Sequence, residues 1–343
     1  MRLIRKFPTL PVLAAVSTVF ASAALAQEVL NVYSQRHYPI DKKVNELFTA
    51  KTGIEVKVVN AEADQLIERL KSEGENSPAD VFVTVDAGKL QLAAKSGLLQ
   101  PLKSEVLEKA TPENLRDPAG LWYPYTLRAR VIIVAKDRVK PGEIKNYEDL
   151  AKPEWKGRVL ARSASSSYNQ SLLASIVAAD GAEKAKAWAK GVADNLARPP
   201  QGGDRDQIKA CASGLADVCI SNTYYFGLLL NSADAADRAA AEKMTIVFPN
   251  QDGRGTHANV AGAGVTKHAK NVKNAQAYIE FLVSPEAQKT LANGSYEYPI
   301  SFDLTLSPTH EKWGTFKLDS ETFSKIGENQ PTAIRLFDEA GWK

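Results

Sequence analysis

The feature that most constrains the fold is an alternation of short β-branched runs with amphipathic stretches. Residues 29–33, 55–59 and 81–85 are predicted strands, because each run is short and rich in valine. The stretch between the first two runs opens at Pro39 and stops at Gly53, and its apolar residues share one helical face. A βαβαβ series of this kind predicts a parallel sheet with right-handed crossovers.

The pattern restarts in the second half of the chain, after an extended pair of segments at 122–125 and 129–135. Short strands are predicted at 158–161 and 217–220, with helical stretches between and after them. Two α/β units joined by strand-rich connections indicate a bilobed protein with a cleft. Ligands of open α/β sheets gather outside the carboxyl ends of the strands, so the loops after the strands are the expected place for a binding site.

The first 26 residues are predicted to be a secretory signal peptide. Arg2, Arg5 and Lys6 precede an apolar stretch, and the small residues that follow end in an A-x-A-like site, so cleavage is expected after Ala26. The alternative is a membrane anchor, which we disfavour because the apolar run is short and interrupted by proline and hydroxyl side chains. We therefore expect an exported protein.

The charge balance argues against a nucleic-acid partner. The whole chain has a formal net charge of +3, but removal of the three basic residues of the signal lowers the 43 basic residues to 40, which equals the 40 acidic residues. Proteins that bind nucleic acid or anionic membranes usually have a basic excess or a dense lysine and arginine stripe. The mature sequence has neither, so we exclude these classes.

The two cysteines, Cys211 and Cys219, both lie in the mature part of the chain. In an oxidising compartment such a pair can form a disulfide, and the spacing suits a helix end, a turn at Gly214 and a returning strand. We expect this disulfide, with two small buried thiols as the alternative. A metal site built on two cysteines alone would be poor.

The sequence lacks the motifs of common enzyme families: it contains no GxGxxG, GxxxxGK[ST], GxSxG or HExxH. The serine-rich stretch 163–167 has no convincing histidine base, and we interpret it as a polar loop that caps the next helix. His268 and His310 lie in lysine-rich or proline-rich contexts that suggest exposure to solvent, and the role of His257 stays open. We therefore do not expect an enzyme.

Tyrosines lie in three loops that follow predicted strands. Tyr38 follows the first strand, Tyr168 follows the strand that opens the second unit, and Tyr224 and Tyr225 follow another strand of that unit. Taken singly, each tyrosine is more simply explained as a half-buried structural residue with a satisfied hydroxyl. The three loops fall at one expected cleft, however, and His37 adjoins Tyr38, so together they favour a binding site.

Phenolates and an imidazole form a hard, anionic ligand set. Phenol has a pKa of about 10, so only a strongly Lewis-acidic ion displaces its proton at neutral pH. Ca²⁺ and Mg²⁺ prefer carboxylates and carbonyls, and Zn²⁺ prefers Cys and His. The set therefore suits a trivalent hard ion, Fe³⁺ above all. Four phenolates would leave one negative charge for an arginine to offset. Arg130 and Arg36 are candidates, and for Arg36 we favour a structural or solvated charge.

These motifs resemble those of periplasmic ferric-ion-binding proteins, the solute-binding components of iron ABC importers. Features shared by many solute-binding proteins lie at 78–82, 127–132, 155–159, 281–288 and 298–300. The loops Arg36-His37-Tyr38, Ser167-Tyr168-Asn169 and Asn222-Thr223-Tyr224-Tyr225 look like the iron-binding loops of the tyrosine-rich subgroup, which needs no external carbonate.

The resemblance implies a type II periplasmic-binding-protein fold, in which crossing hinge strands join two α/β lobes. Residues 27–126 and 255–305 would form the N-terminal lobe, and residues 127–254 and 306–343 the C-terminal lobe. The protein would be a monomer in the periplasm, would carry Fe³⁺ as its transported ligand, and would deliver it to an inner-membrane ABC permease without catalysis.

By the same resemblance, His37 and Tyr38 of the first lobe would bind iron together with Tyr168, Tyr224 and Tyr225 of the second. Iron that bridges both lobes favours the closed form by its higher affinity for that form. Two alternatives stay open. The chain could bind a small organic or anionic ligand, such as thiamine, a polyamine or a phosphonate. Less favoured is a secreted, metal-dependent oxidase built on iron tyrosinate, because no acid/base pair is recognisable.

Overall fold

The computed structural model describes residues 28–300, 307–319, 321 and 323–343. The expected signal peptide and its cleavage site lie outside these residues. The strands, in chain order, are β1 Val29–Ser34, β2 Glu55–Asn60, β3 Val81–Thr84, β4 Tyr123–Ala135, β5 Val159–Leu160, β6 Val218–Asn222, β7 Met244–Val247, β8 Ala258–Val265 and β9 Tyr298–Pro299. The helices are α1 Pro39–Thr52, α2 Ala63–Glu73, α3 Ala87–Lys95, α4 Glu105–Ala110, α5 Ser167–Asp180, α6 Ala182–Asp194, α7 Asp204–Ala212, α8 Thr223–Leu230, α9 Ala235–Glu242, α10 Val272–Leu282, α11 Pro285–Ser295, α12 Pro308–Trp313 and α13 Phe323–Ala340.

The first three strands form the parallel sheet that the sequence predicted. Strand β1 lies between β2 and β3 and pairs in parallel with both. Helix α1 begins at Pro39, whose fixed φ suits the first helical position, and ends before Gly53, which has a φ of 78°. Its inward residues Val44 and Phe48 are buried in the core. The βαβαβ prediction is therefore confirmed.

The long strand β4 joins the two halves of the fold. Its first part pairs with β8 and β9, and its second part pairs with β6 and β7. The sequence predicted two separate segments here, but β4 is continuous over 13 residues, all of them buried. The prediction was wrong because the apparent gap contains Arg128, a charged residue that is buried and paired with Glu297.

The second half repeats the α/β arrangement. Strand β5 pairs in parallel with β6, and β6 pairs antiparallel with β4. Across the molecule the strands follow the order β2-β1-β3-β8-β4-β6-β5, with β7 and β9 beside β4. Strand β8 pairs antiparallel with both β3 and β4, so β4 and β8 run side by side at the junction of the halves.

Cys211 and Cys219 are free, buried thiols, so the expected disulfide is absent from the structure and that prediction was wrong. Cys211 lies on α7 and Cys219 on β6, inside an apolar cluster that also contains Ile133 and Ile208. Burial raises the pKa of the Cys219 thiol well above its ordinary value. The structure therefore shows the alternative, two small buried thiols.

Helix α13 lies against both halves of the fold. It packs on α5 and α6 of the second half and on α3 of the first. Within the described ranges, no helix has both the length and the apolar character needed to cross a membrane. The lobe boundaries implied by the resemblance stay a prediction.

Candidate metal centre

The structure brings the four predicted tyrosines together. Tyr38 immediately precedes α1, Tyr168 lies in the first turn of α5, and Tyr224 and Tyr225 lie in the first turn of α8. The Tyr224 hydroxyl oxygen lies 3.2 Å from that of Tyr168 and 3.4 Å from that of Tyr38. The rings of Tyr224 and Tyr225 are in contact, with centroids 4.1 Å apart. Phenol groups from three separate loops therefore converge at one point.

Three helices begin at this point, which shapes its electrostatics. The unpaired N–H groups and the dipole at a helix N-terminus favour negative charge. The starts of α1, α5 and α8 all carry a tyrosine of the cluster. At α1 the Asp41 carboxylate accepts a hydrogen bond of 2.9 Å from the Tyr38 backbone N–H, which holds the entry to the helix. The backbone therefore favours anionic oxygen at the cluster.

Raised pKa values nevertheless oppose ionisation of three of these phenols, Tyr38, Tyr224 and Tyr225. Burial raises the pKa of Tyr38, and negative charge on Tyr168 would raise it further. Burial, together with the neighbouring phenols, raises the pKa of Tyr224 well above its ordinary value and also raises that of Tyr225. A bound cation must therefore displace protons before the cluster can act as a set of phenolate ligands.

His37 lies beside the cluster on the wall of an open cleft. The cleft has a volume of about 610 Å³, and its walls include His37, Tyr38, Arg162, Tyr168 and Tyr225. The imidazole is exposed and stacks on the Tyr38 ring with centroids 5.2 Å apart. Its Nδ1 lies 3.2 Å from the Gln35 carbonyl oxygen. A carbonyl only accepts hydrogen bonds, so Nδ1 is the donor and Nε2 keeps the lone pair that can bind a metal.

Arg130, predicted as a charge beside the site, lies buried behind Tyr168. Its guanidinium carbon is 5.8 Å from the Tyr168 ring centroid. One terminal nitrogen donates to the Asn169 amide oxygen at 2.7 Å, and the other forms an ion pair with Asp204. Arg162 shares the Asp204 carboxylate at 2.9 Å and lies 5.4 Å from the same ring. The second half of the cluster is therefore backed by two guanidinium groups and one carboxylate.

Arg36 is a buried structural residue, in agreement with the interpretation we favoured. It is 3% exposed, and its ion pairs with Asp41 and Glu297 are 2.8 and 2.7 Å long. Its neighbour Arg128, which was not predicted to lie at the site, is 1% exposed and pairs with Glu297 at 3.2 Å. A signal was present, because Arg128 and Arg130 are two residues apart on one strand and therefore face the same side.

Two histidines outside the cluster are fully buried. The expectation that His310 is solvated was wrong: its Nε2 donates to the Tyr296 carbonyl oxygen at 3.0 Å, and its Nδ1 lies 2.8 Å from the Ser307 hydroxyl. His257 contacts the Ser171 hydroxyl through Nε2 at 3.0 Å. Among the described residues, no group of three or more His, Cys, Asp or Glu side chains could hold a metal ion.

Comparison with known proteins places the chain among solute-binding proteins. Residues 76–320 match the family of bacterial extracellular solute-binding proteins. Over 317 residues the chain is 51% identical to iron uptake protein A1 of Synechocystis. The matched region covers 92% of this chain and 88% of that protein. This sequence match spans most of both proteins, and so do the two structural matches that follow.

Solved structures agree with this result. The Trichodesmium protein IdiA (FutA), in complex with iron and citrate ligands, superposes with a TM-score of 0.88 at 47% identity over 92% of this chain and 100% of that one. The ferric binding protein of Campylobacter jejuni gives a TM-score of 0.87 at 48% identity over the same shares. The predicted type II periplasmic-binding-protein fold and the resemblance to ferric-ion-binding proteins are thereby confirmed. The chain belongs to the family of bacterial extracellular solute-binding proteins.

Proposed function

We propose that this protein captures Fe³⁺ at the tyrosine cluster and delivers it to an ABC permease in the inner membrane. The observation that carries the proposal is the convergence of three phenols: the Tyr224 hydroxyl oxygen lies 3.2 Å from that of Tyr168 and 3.4 Å from that of Tyr38. Around an octahedral ion with metal–oxygen bonds of about 2.0–2.1 Å, adjacent ligand oxygens are about 2.9 Å apart. The two distances at Tyr224, 3.2 and 3.4 Å, are a few tenths of an ångström longer than that spacing. The iron-binding and iron-uptake relatives support the same cargo.

In this proposal the phenolates of Tyr38, Tyr168, Tyr224 and Tyr225 bind the iron, and Nε2 of His37 is a fifth ligand. Four phenolates exceed the charge of Fe³⁺ by one. The guanidinium groups behind the cluster belong to Arg36, Arg128, Arg130 and Arg162, and their carboxylate partners belong to Asp41, Asp204 and Glu297. The four guanidinium groups and three carboxylates together carry one positive charge. This charge balances the single negative charge of Fe³⁺ with four phenolates, so the loaded site is neutral overall.

The mechanism is closure of two lobes about the metal. Tyr38 and His37 belong to the N-terminal lobe, residues 27–126 and 255–305, and the other three ligands belong to the C-terminal lobe, residues 127–254 and 306–343. An ion that binds ligands from both lobes has a higher affinity for the closed form and shifts the population toward it. The permease then recognises the closed shape.

The chain acts as a binding protein and catalyses no reaction. It is exported with a signal peptide that is cleaved after Ala26, and it works in the periplasm as a monomer. Its relatives are binding and uptake proteins, which supports the binding role.

The test is the visible absorption spectrum of the purified mature protein before and after addition of Fe³⁺ as a weak chelate. We expect a broad tyrosinate-to-iron charge-transfer band that is bleached by reduction or by acid. A colourless protein that retains no iron after desalting, and whose melting temperature responds to an organic ligand but not to Fe³⁺, would overturn the proposal. The variant Tyr278→Phe is a matched control, because this buried phenol donates to Asn45 at 2.7 Å, outside the cluster.

A further inference from the structure

The turn at residues 295–297, between α11 and β9, holds a tyrosine in an unfavourable backbone conformation. Tyr296 has φ 57° and ψ 23°, the left-handed region that bulky residues rarely adopt. Such a conformation persists only where the surroundings enforce it, and it is often retained for function. In the turn, the Tyr296 carbonyl accepts a hydrogen bond of 3.0 Å from His310.

The Tyr296 side chain packs against the helix that carries two of the phenols. A Cβ atom placed on Gly227 of α8 would lie 2.7 Å from Cβ and 2.8 Å from Cγ of Tyr296, too close for any real contact. Gly227 is three residues after Tyr224, so the two positions lie on the same face of α8. The absence of a side chain at Gly227 therefore sets how closely α8 approaches the turn.

The next residue of the turn connects to the opposite side of the cluster. Glu297 pairs with Arg36 at 2.7 Å, and Arg36 in turn pairs with Asp41 at 2.8 Å. The Asp41 carboxylate accepts the Tyr38 backbone N–H at 2.9 Å. Glu297 and Arg36 are both nearly inaccessible to solvent, so their ion pair is shielded from water. Two consecutive residues thus contact the supports of Tyr38 and of Tyr224.

We propose that the 295–297 turn is a positioning element that sets, when the two lobes are closed, the separation between Tyr38 on one side of the metal site and Tyr224 and Tyr225 on the other. The inference rests on the proposed function and adds to it a determinant of iron retention that binds no metal. Tyr296, in its left-handed conformation, fixes the distance between Tyr38 and α8. Its Cβ and Cγ atoms occupy the space beside Gly227, while Glu297 pairs with Arg36 in the Tyr38 loop.

The experiment compares Gly227→Ala, Tyr296→Gly and the double variant, each loaded with Fe³⁺ from a weak chelate and then challenged with a strong chelator. Because the added methyl group displaces α8, we expect Gly227→Ala to release iron about tenfold faster or more and to shift the absorption band. Tyr296→Gly removes the two closest contacts of this methyl group and leaves one of 3.2 Å to Trp313 Cη2. The added methyl group should therefore accelerate iron release much less in the Tyr296→Gly background than in the wild-type background. Gly253→Ala is the control, since its nearest contact would be an ordinary 3.7 Å.

Tyr296→Gly separates positioning from a merely structural role. Glycine relieves the left-handed backbone, so the melting temperature of the iron-free variant should stay close to that of the wild type while iron release accelerates and the band moves. A purely structural role would lower the melting temperature and leave the band of the loaded protein in place. Wild-type release rates and band positions in both single variants would overturn the inference. A wild-type protein that takes up no iron would instead overturn the proposed function.

Discussion

Arg36 and Glu297 form a buried ion pair of 2.7 Å although 261 positions separate them in the chain. Burial raises the pKa of Glu297, but Arg36 and Arg128 outweigh that effect and hold the pKa below its usual range, so the carboxylate stays charged. The pair joins the loop of Tyr38 to the segment that enters β9. Two further arginines, Arg130 and Arg162, surround Asp204 on the other side of the cluster.

Removal of the Glu297 charge should destabilise the protein strongly. Glu297→Gln leaves Arg36 and Arg128 facing each other without their shared carboxylate, and loss of one partner of a buried pair typically costs about 3–5 kcal/mol. Urea unfolding of the iron-free protein measures this change. Glu286→Gln is the matched control, because its pair with Lys51 is exposed and 3.6 Å long, worth at most about 1 kcal/mol. Equal losses in the two variants would contradict the prediction.

Loss of a single phenol should weaken iron retention without unfolding the protein. Tyr224→Phe or Tyr225→Phe removes one phenolate from the proposed ligand set, so we expect at least about a tenfold loss of Fe³⁺ affinity and a shift of the visible band. Competition with a chelator and the absorption spectrum measure the two effects. Unchanged affinity and spectrum in both variants would refute the ligand assignment, whereas Tyr278→Phe should behave like the wild type.

Iron binding should weaken as the pH falls. The raised pKa values of Tyr38, Tyr224 and Tyr225 keep these phenols protonated in the iron-free protein across the neutral range. Each phenol that binds must release its proton, so the affinity should fall about tenfold per pH unit for every phenol that does so. Competition titrations between pH 5 and 8, corrected for protonation of the chelator, give this slope. A pH-independent affinity would argue against phenolate ligands.

The buried His257 should make folding stability depend on pH. Burial, with a further contribution from the charges of Arg254 and Arg130, lowers its pKa to about 3. Between that value and the unfolded pKa of about 6.5, only the unfolded chain binds the proton. The contribution of His257 to the free energy of unfolding is therefore fully present above pH 6.5. Below that pH it falls by about 1.4 kcal/mol for each pH unit. We expect His257→Gln to reduce the pH dependence of the free energy of unfolding in urea, and the exposed-site variant His268→Gln to leave it unchanged. The slope that stays in His257→Gln includes a share from His310, because burial lowers the pKa of that histidine as well.

The local elements and the chemistry of the site could be predicted from the sequence. Valine runs, Pro39 and Gly53 determine strands and a helix through short-range periodicity and capping, which need no tertiary information. Three of the tyrosines lie in loops that follow predicted strands: Tyr38, Tyr168 and Tyr224. The carboxyl ends of such strands meet at one edge of a sheet. Their convergence therefore followed from the order of elements, although the binding role itself stays a proposal.

The tertiary structure decided which charges are buried and which partners they have. The sequence suggested a break in the strand at Arg128, because it does not show that Glu297 lies beside this residue. It suggested a surface position for His310, because it does not show the contact with Tyr296. The burial of Cys211 and Cys219 as free thiols depended in the same way on side-chain packing. Local periodicity fixes which residues face inward, but the partners of a buried polar group come from distant parts of the chain. Those partners determine whether its charge is neutralised and its hydrogen bonds are made.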